Sequence, residues 1–543
     1  MRPALLSRFV VLALSFPLAA CGGSSSTQPP GTAQTDTGGN PFADTGAGDD
    51  ASAPADTASD DSAASADTSL VDEGVADTSS ADAASDDTSV VDSLVVDSLV
   101  VDSVVADTSV VDSVVVVDAA DTSVVDSAPA DTGPAVTNIK HVVLIVEENH
   151  TFDNYFGHWC TAPTGSNPTC NNGPSCCEAA PGTEPSGSSP IALDDSSNGG
   201  RDPDHTYACE WAEMDNGKMD HYVTGTSCPA VDLLASTSPN PGNYAVVDPK
   251  VGQTYQAWAT QYALADRYFQ PLVGQTSAND MYFAVARWQF KDNQYKPNCN
   301  GKGCIAPTTP TQTWSGVTTI ADLITGAGHT FNVYAEGLSA MWQYPWCPAL
   351  PSDCTGGIYG LSPCYYDCSD IPFEYYSQWL DKSDMKDWTD FQNDISAGTL
   401  PDFAYVKFAG YHNEHPGYNT KLTTSIEHVQ TAVDAILSSP YANDTLVIVT
   451  WDEGGGYFDH VSPPGVNPID NEPYGTRVPM LAVGRFAKKG FVSHVQMEHS
   501  SVVKFLELNF TGKTGQLGAR DTNVNNLGSM LDPAETGIVV PEH

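Results

Sequence analysis

The stretch that decides the fold is IKHVVLIVEENHTF, residues 139–152. Val142 to Val146 form an unbroken apolar run rich in β-branched residues, the composition of a strand buried on both faces. The run ends abruptly on Glu147, Glu148, Asn149 and His150. DTLVIVTWDEGGG, residues 444–456, repeats the pattern, passing from a mainly apolar run to Asp452, Glu453 and three glycines. Between and after these, HTFNVYAEG, DFAYVKF and RVPMLAVG read as further strands. TTIADLITGAG, SIEHVQTAVDAILSS and HSSVVKFLELNF have helical apolar spacing. Strands alternating with helices predict an α/β domain with a mostly parallel sheet, in which sites gather beyond the carboxyl ends of strands.

Two such strand ends supply four oxygen-bearing side chains: Glu148, Asn149, Asp452 and Glu453. Carboxylates plus an amide carbonyl make a hard donor set, suited to Ca²⁺, Mg²⁺ or Mn²⁺ rather than a thiolate-seeking metal. Gly454 to Gly456 let the backbone pass close to a ligand. LVGQTSANDMY, residues 272–282, presents Thr276 and Ser277 after Gly274 in a turn-like setting, where a metal-activated hydroxyl can serve as a nucleophile. RDPDH brings His205, and YHNEHPG brings His412 and His415, as candidate acid–base groups; each also reads as an ordinary surface imidazole on spacing alone.

The rest of the 543-residue chain frames this domain. MRPALLSRFVVLALSFPLAAC places Arg2 and Arg8 before an apolar run and small residues before Cys21, a secretory leader over residues 1–20. Leu18-Ala19-Ala20-Cys21 resembles a bacterial lipobox, which implies cleavage before Cys21 and a lipid on its sulfur. Export with anchoring in the outer membrane or at the cell surface is the expectation; ordinary leader cleavage is the alternative. Residues 21–137 read as a stalk. Residues 24–137 contain 23 acidic residues and no Lys or Arg, and Asp92, Asp97, Asp102, Asp107 and Asp112 recur every five residues. That period matches neither helix nor strand, so the tract is expected to be disordered and solvated. Calcium binding by its aspartates, or pairing of its Val-rich patches between chains, are the other readings.

Of 13 cysteines, the twelve beyond Cys21 lie between Cys160 and Cys368. An even number in an exported chain points to disulfides, with structural zinc as the competitor. The Gly/Pro/Cys-rich region of about 160–310 is expected to be a disulfide-bonded cap on a domain spanning 138–543. A formal net charge of −46 provides no basic footprint for nucleic acid.

Taken in order, HVVLIVEENHTFDNYFG, DPDH, DNGKMDHYV, YALADRYF, VGQTSANDMYF, NEHPG, VTWDEGGGYFDHV, GTRVPMLAVG and EHSSVVKFLELNF resemble the bacterial phosphoesterase family over about residues 138–512. That family groups non-haemolytic phospholipases C with a type of acid phosphatase. The resemblance implies an alkaline-phosphatase-like core and hydrolysis of phosphate mono- or diesters, or of phospholipid head groups. It implies a divalent metal ion on Glu148, Asn149, Asp452 and Glu453, Thr276 as nucleophile, and His205 and His415 as phosphate-contacting and acid groups. A surface lipoprotein that only binds its ligand is the reading of another class. The chain departs from the family at Gln275 for a usual Pro, Asp280 for a frequent Arg and His150 for a usual Arg. In SDIPFEYYS, Asp370 stands where an imidazole near the phosphate is expected.

Overall fold

In a computed structural model, residues 135–543 are described except 225–227, 229–230, 233–241, 344–346 and 420. The expected leader, Cys21 and the stalk up to residue 134 lie outside the described residues. Residues just before the expected start at 138 bond to the fold: Val136 N donates to Asn509 O at 2.8 Å, and Thr137 Oγ1 donates to Asn509 Oδ1.

The apolar run at 141–147 becomes the strand around which the rest is built. Eight strands form one sheet: β1 (His141–Glu147), β2 (Ala263–Ala265), β3 (Phe331–Ala335), β4 (Met385–Asp387), β5 (Phe403–Lys407), β6 (Thr445–Trp451), β7 (Met480–Val483) and β8 (Phe491–Ser493). Their order is β8-β2-β7-β6-β1-β5-β3-β4. Every pairing is parallel except those of β7 with β6 and β2. The expected mostly parallel sheet is therefore present. β6 is buried along its whole length and β1 from Val142 on, as strands covered on both faces must be.

The helices include α1 (Phe152–Phe156), α2 (Gln253–Gln261), α3 (Thr276–Val285), α4 (Ile320–Gly326), α5 (Trp388–Ala397), α6 (Leu422–Leu437) and α7 (His499–Thr511). α3, α4 and α7 pack on one another; α5 packs on α6, and α1 on α2. In α6 the buried Leu422, Ser425, Ile426, Val429, Ala432, Val433 and Ile436 trace one face, as the helical spacing predicted. Among the described residues no helix is long and apolar enough to cross a membrane.

The twelve cysteines pair as Cys160–Cys177, Cys170–Cys176, Cys209–Cys228, Cys299–Cys368, Cys304–Cys347 and Cys354–Cys364. Sulfurs bonded to each other are not thiolates, so the zinc alternative for these cysteines falls away. The cap expectation for 160–310 needs a correction, because β2 and α3 lie inside that region and belong to the core. Three-residue β2 is too short to show a period in sequence.

Candidate active site

β1 and β6 run in register, His141 opposite Thr445 through Glu147 opposite Trp451. The residues that follow therefore emerge side by side, and Asp452 N donates to Glu147 O at 3.0 Å. β1 ends by a turn into the left-handed region, with Asn149 at φ 60°, a conformation that Asn tolerates better than most residues. The turn presents the Asn149 amide N–H to Asp452 Oδ1 at 3.0 Å. It also directs the Asn149 side chain inward: Nδ2 donates to His415 Nε2 at 3.0 Å and to His205 Nε2 at 3.3 Å.

Thr276 is the first residue of α3, preceded by Gly274 at φ 118°. The turn-like setting read from sequence is thus a helix amino terminus. Its hydroxyl lies 3.4 Å from Asn149 Oδ1 and 3.5 Å from Glu148 Oε2. Glu210 and Gln270 lace this turn to the glycine loop after β6. Gly274 N donates to Glu210 at 2.7 Å, Gln270 Nε2 to Glu210 at 3.1 Å, and Gly454 N to Gln270 Oε1 at 2.7 Å. The close approach predicted for the glycines is real: a Cβ on Gly455 would stand 2.3 Å from Asn149 O.

The two imidazoles are oriented alike. His205 Nδ1 donates to Pro203 O at 2.8 Å and His415 Nδ1 to Pro416 O at 2.6 Å, which turns both Nε2 atoms toward Asn149. Their electrostatics differ. Burial opposes protonation of His205, but Asp202, the Pro203 carbonyl and Glu210 outweigh it and hold its pKa above the usual value. Burial wins at His415, aided by the nearby His205, and keeps it below. Asp202, His205 and His415 also bring ligand atoms within 4.8 Å of one another, a further metal-capable group at the site's edge.

The donor set fits a cation. Two carboxylates have one oxygen fixed and one spare: Asp452 Oδ1 accepts from Asn149 N, and Glu453 Oε2 accepts from Gly455 N. Asp452 Oδ2 and Glu453 Oε1 are buried without a hydrogen-bond partner, while Glu148 Oε1 faces a cation of the chain itself. Burial and the Glu148 charge push Asp452 up to about 7, and burial with the Asp452 charge pushes Glu453 well above the carboxylate range. Buried acids that raise one another in this way are relieved by a bound positive charge.

Part of that charge is supplied by a residue absent from the sequence reading. Lys407, at the end of β5, places Nζ 2.8 Å from Glu148 Oε1 and 3.6 Å from Asp280 Oδ2. Burial opposes ionisation of Glu148, but Lys407 and His415 outweigh it and hold its carboxyl below the usual range. The signal for Lys407 was available, since DFAYVKF carries a charge at the end of an apolar strand, as β1 and β6 do. Asp280, noted only as a departure, is its second partner. Asp370 hydrogen bonds to Glu148, so it stands beside the site at the position where the resemblance would put an imidazole. Burial, Asp367 and Glu148 push its own carboxyl well above the usual range. His499 was also missed: it stacks on Phe283 at 4.0 Å and donates from Nε2 to Asp452 O at 2.6 Å, fixing the carbonyl of that strand end.

Two other candidates fall elsewhere. His412 faces Glu336 at 2.9 Å, outside this constellation. His150 is buried between Glu148 O at 2.9 Å and Asn198 Oδ1 at 3.2 Å, and burial lowers it to about 4, the pattern of a core imidazole. Glu147 is fully buried and pushed well above the usual range by burial and the Glu414 charge.

Curated relatives include the non-hemolytic phospholipase C of Pseudomonas aeruginosa, 24% identical over 69% of this chain and 54% of that protein. The chain thus spans about half the length of that relative. Phospholipase C B of Mycobacterium tuberculosis is 25% identical over 73% of this chain and 78% of that protein. A solved structure of a protein in the alkaline phosphatase superfamily from Vibrio parahaemolyticus is similar at a TM-score of 0.28 and 15% identity, covering 51% of this chain and 65% of that one. The Phosphoesterase family model matches residues 139–511, from just before β1 to the end of α7, and the chain belongs to that family.

Proposed function

We propose that the chain is a hydrolase that cleaves phosphate mono- or diesters with Thr276 as nucleophile. The observation that carries this reading is one buried hydroxyl at a helix amino terminus, 3.4 Å from Asn149 and 3.5 Å from Glu148, with two imidazoles on the same asparagine. A helix amino terminus favours a phosphoryl anion beside it. A divalent cation of the Ca²⁺, Mg²⁺ or Mn²⁺ kind, held by Glu148, Asn149, Asp452 and Glu453, would supply the charge that neutralises phosphoryl oxygens and eases ionisation of the Thr276 hydroxyl.

The Thr276 hydroxyl releases its proton to solvent on ionising, and Oγ1 attacks phosphorus in line with the leaving alcohol; the P–O bond to that alcohol breaks, leaving a phosphothreonine. His205, whose affinity for a proton Asp202 raises, takes up a proton at Nε2 in place of the Asn149 contact and gives it to the leaving oxygen. Water then attacks phosphorus and gives its proton back to His205, releasing phosphate or a phosphomonoester and restoring Thr276. His415, held neutral, orients Asn149 and the phosphoryl group. Lys407 keeps Glu148 ionised throughout.

A phospholipase C reading has a specific observation in its favour. Tyr418 stacks on His415 at 3.8 Å and, with Tyr411 and Asp353, lines a cleft of about 580 Å³. Aromatic faces beside a carboxylate suit a cationic alkylammonium head group. Hydrolysis of p-nitrophenyl phosphate and of p-nitrophenyl phosphocholine, each with and without chelator, separates the two. Thr276→Ala is expected to lower kcat by about 10⁴-fold or more on the preferred ester. Activity that survives this change excludes Thr276 as the nucleophile, and full activity after exhaustive chelation excludes the cation.

The same proposal includes export and anchoring through a lipid on Cys21, supported by the leader sequence and by the pairing of all twelve remaining cysteines. Cys21→Ser is expected to move the exported chain from the membrane to the soluble fraction. Retention on membranes would remove Cys21 as the anchor.

A further inference from the structure

A second group of ligating side chains sits beyond β3 and β5 and shares no residue with the site above. Glu336 follows β3, His412 lies in the loop after β5, and His428 belongs to α6. Glu336 Oε1 lies 2.9 Å from His412 Nδ1 and 3.7 Å from His428 Nε2, and the three ligand atoms all fall within 4.8 Å of one another. Tetrahedral zinc with bonds of ~2.0–2.1 Å sets neighbouring ligand atoms roughly 3.3 Å apart, between the two separations found here.

The donors are held in place by their surroundings. Ala409 N donates to Glu336 Oε2 at 3.1 Å and Tyr411 OH to Oε1 at 3.3 Å. The imidazoles of His412 and His428 stack at 4.3 Å, and Phe408 packs edge-on to His428 at 4.6 Å. His428 Nε2 is buried and has no hydrogen-bond partner, although it faces the Glu336 carboxylate. His412 lines the 580 Å³ cleft together with Asp353, which gives an ion a way in and a further carboxylate nearby.

We infer that Glu336, His412 and His428 form a second metal site, for one divalent ion of the zinc class. Two imidazoles and one carboxylate select such an ion over Ca²⁺ or Mg²⁺, which prefer all-oxygen sites. The ion would tie β3, α6 and the 408–418 loop together, and that loop carries His415. The inference stands on its own donors and does not depend on the proposed reaction.

The test uses the full chain, stripped with chelator and dialysed, with cobalt(II) and zinc as the only probes. Cobalt(II) is expected to give the visible absorption of a tetrahedral nitrogen–oxygen site, and zinc is expected to abolish it on displacement. Glu148→Gln, which alters the oxygen-donor site, keeps that band; His428→Ala loses it together with one metal equivalent by elemental analysis. Should His428→Ala fail to fold, His428→Gln removes the ring nitrogen while keeping a polar side chain in the same space. Absence of any tetrahedral cobalt band in the wild-type chain overturns the inference without a variant. So does a His428 variant that keeps both the band and the full metal content.

Discussion

Lys407→Met probes the charge balance of the site through a residue that belongs to neither the donor set nor the nucleophile. Nζ stands 2.8 Å from Glu148 and 3.6 Å from Asp280, with all three side chains at most 2% exposed. At an effective dielectric near 20 those separations correspond to gross attractions of about 6 and about 5 kcal/mol. Met avoids burying the ammonium, and Asp280, already pushed up by burial, protonates when its partner goes. The net loss is then expected at about 3–5 kcal/mol, as when one partner of a buried pair is removed. Urea unfolding at pH 7 with disulfides intact and chelator present measures it, because a bound cation would otherwise replace the missing charge.

Adding Asp280→Asn to Lys407→Met removes the need to protonate Asp280, so the double variant is expected to fall short of the summed single losses by about 1–3 kcal/mol. The pH dependence has a definite sign. Glu148 is depressed in the folded chain, so its contribution is present above its ordinary pKa and fades as pH falls through the lower folded value. Lys407 is raised, so its contribution is present below its ordinary pKa and is lost only as pH rises through the higher folded value. Without Lys407 the acid-side loss due to Glu148 should vanish. A Lys407→Met loss below about 1 kcal/mol, or strict additivity with Asp280→Asn, would refute the reasoning.

Gly455→Ala pushes a Cβ to 2.3 Å from Asn149 O at a backbone φ of 66°, so the strand-end turn must shift. A displacement near 1 Å is expected to lower kcat about 10²-fold, and an unchanged kcat in steady-state assays would show that the turn yields elsewhere. His460→Gln tests the buried cluster in which Arg477 binds Asp153 at 3.0 Å and Asp459 at 2.8 Å while His460 faces Asp153 at 2.8 Å. Burial opposes protonation of His460, but Asp153 outweighs it and raises its pKa, so its contribution is complete below pH ~6.5 and declines as pH rises through the folded value. Unfolding free energy measured from pH 6 upward should lose that decline in the variant; an unchanged slope counts against the assignment.

Much of this was legible in the sequence because the physics behind it is local. A long apolar run must be buried, so β1, β5 and β6 declared themselves, and polar residues at their ends had to lie where a parallel sheet gathers its sites. Helical spacing gave α4, α6 and α7 for the same reason. The strands β2, β4 and β8, three residues each, are too short to carry a period, and they form where neighbouring strands offer them hydrogen-bonding edges. Pairings among twelve cysteines depend on which loops meet, which spacing does not encode.

The chemistry divides along the same line. By itself the sequence determined that Glu148 with Asn149, and Asp452 with Glu453, stand at strand ends, and the resemblance selected Thr276, His205 and His415. Only the tertiary structure decided that Asn149 joins both imidazoles and the hydroxyl, because those residues are up to 266 positions apart in sequence and come from the end of β1, the start of α3 and two separate loops. It also decided that Lys407 neutralises Glu148 and Asp280, and that His412 turns away to Glu336 although it stands three residues from His415. A charge acts over the few ångströms that folding sets, and no spacing along the chain records that distance.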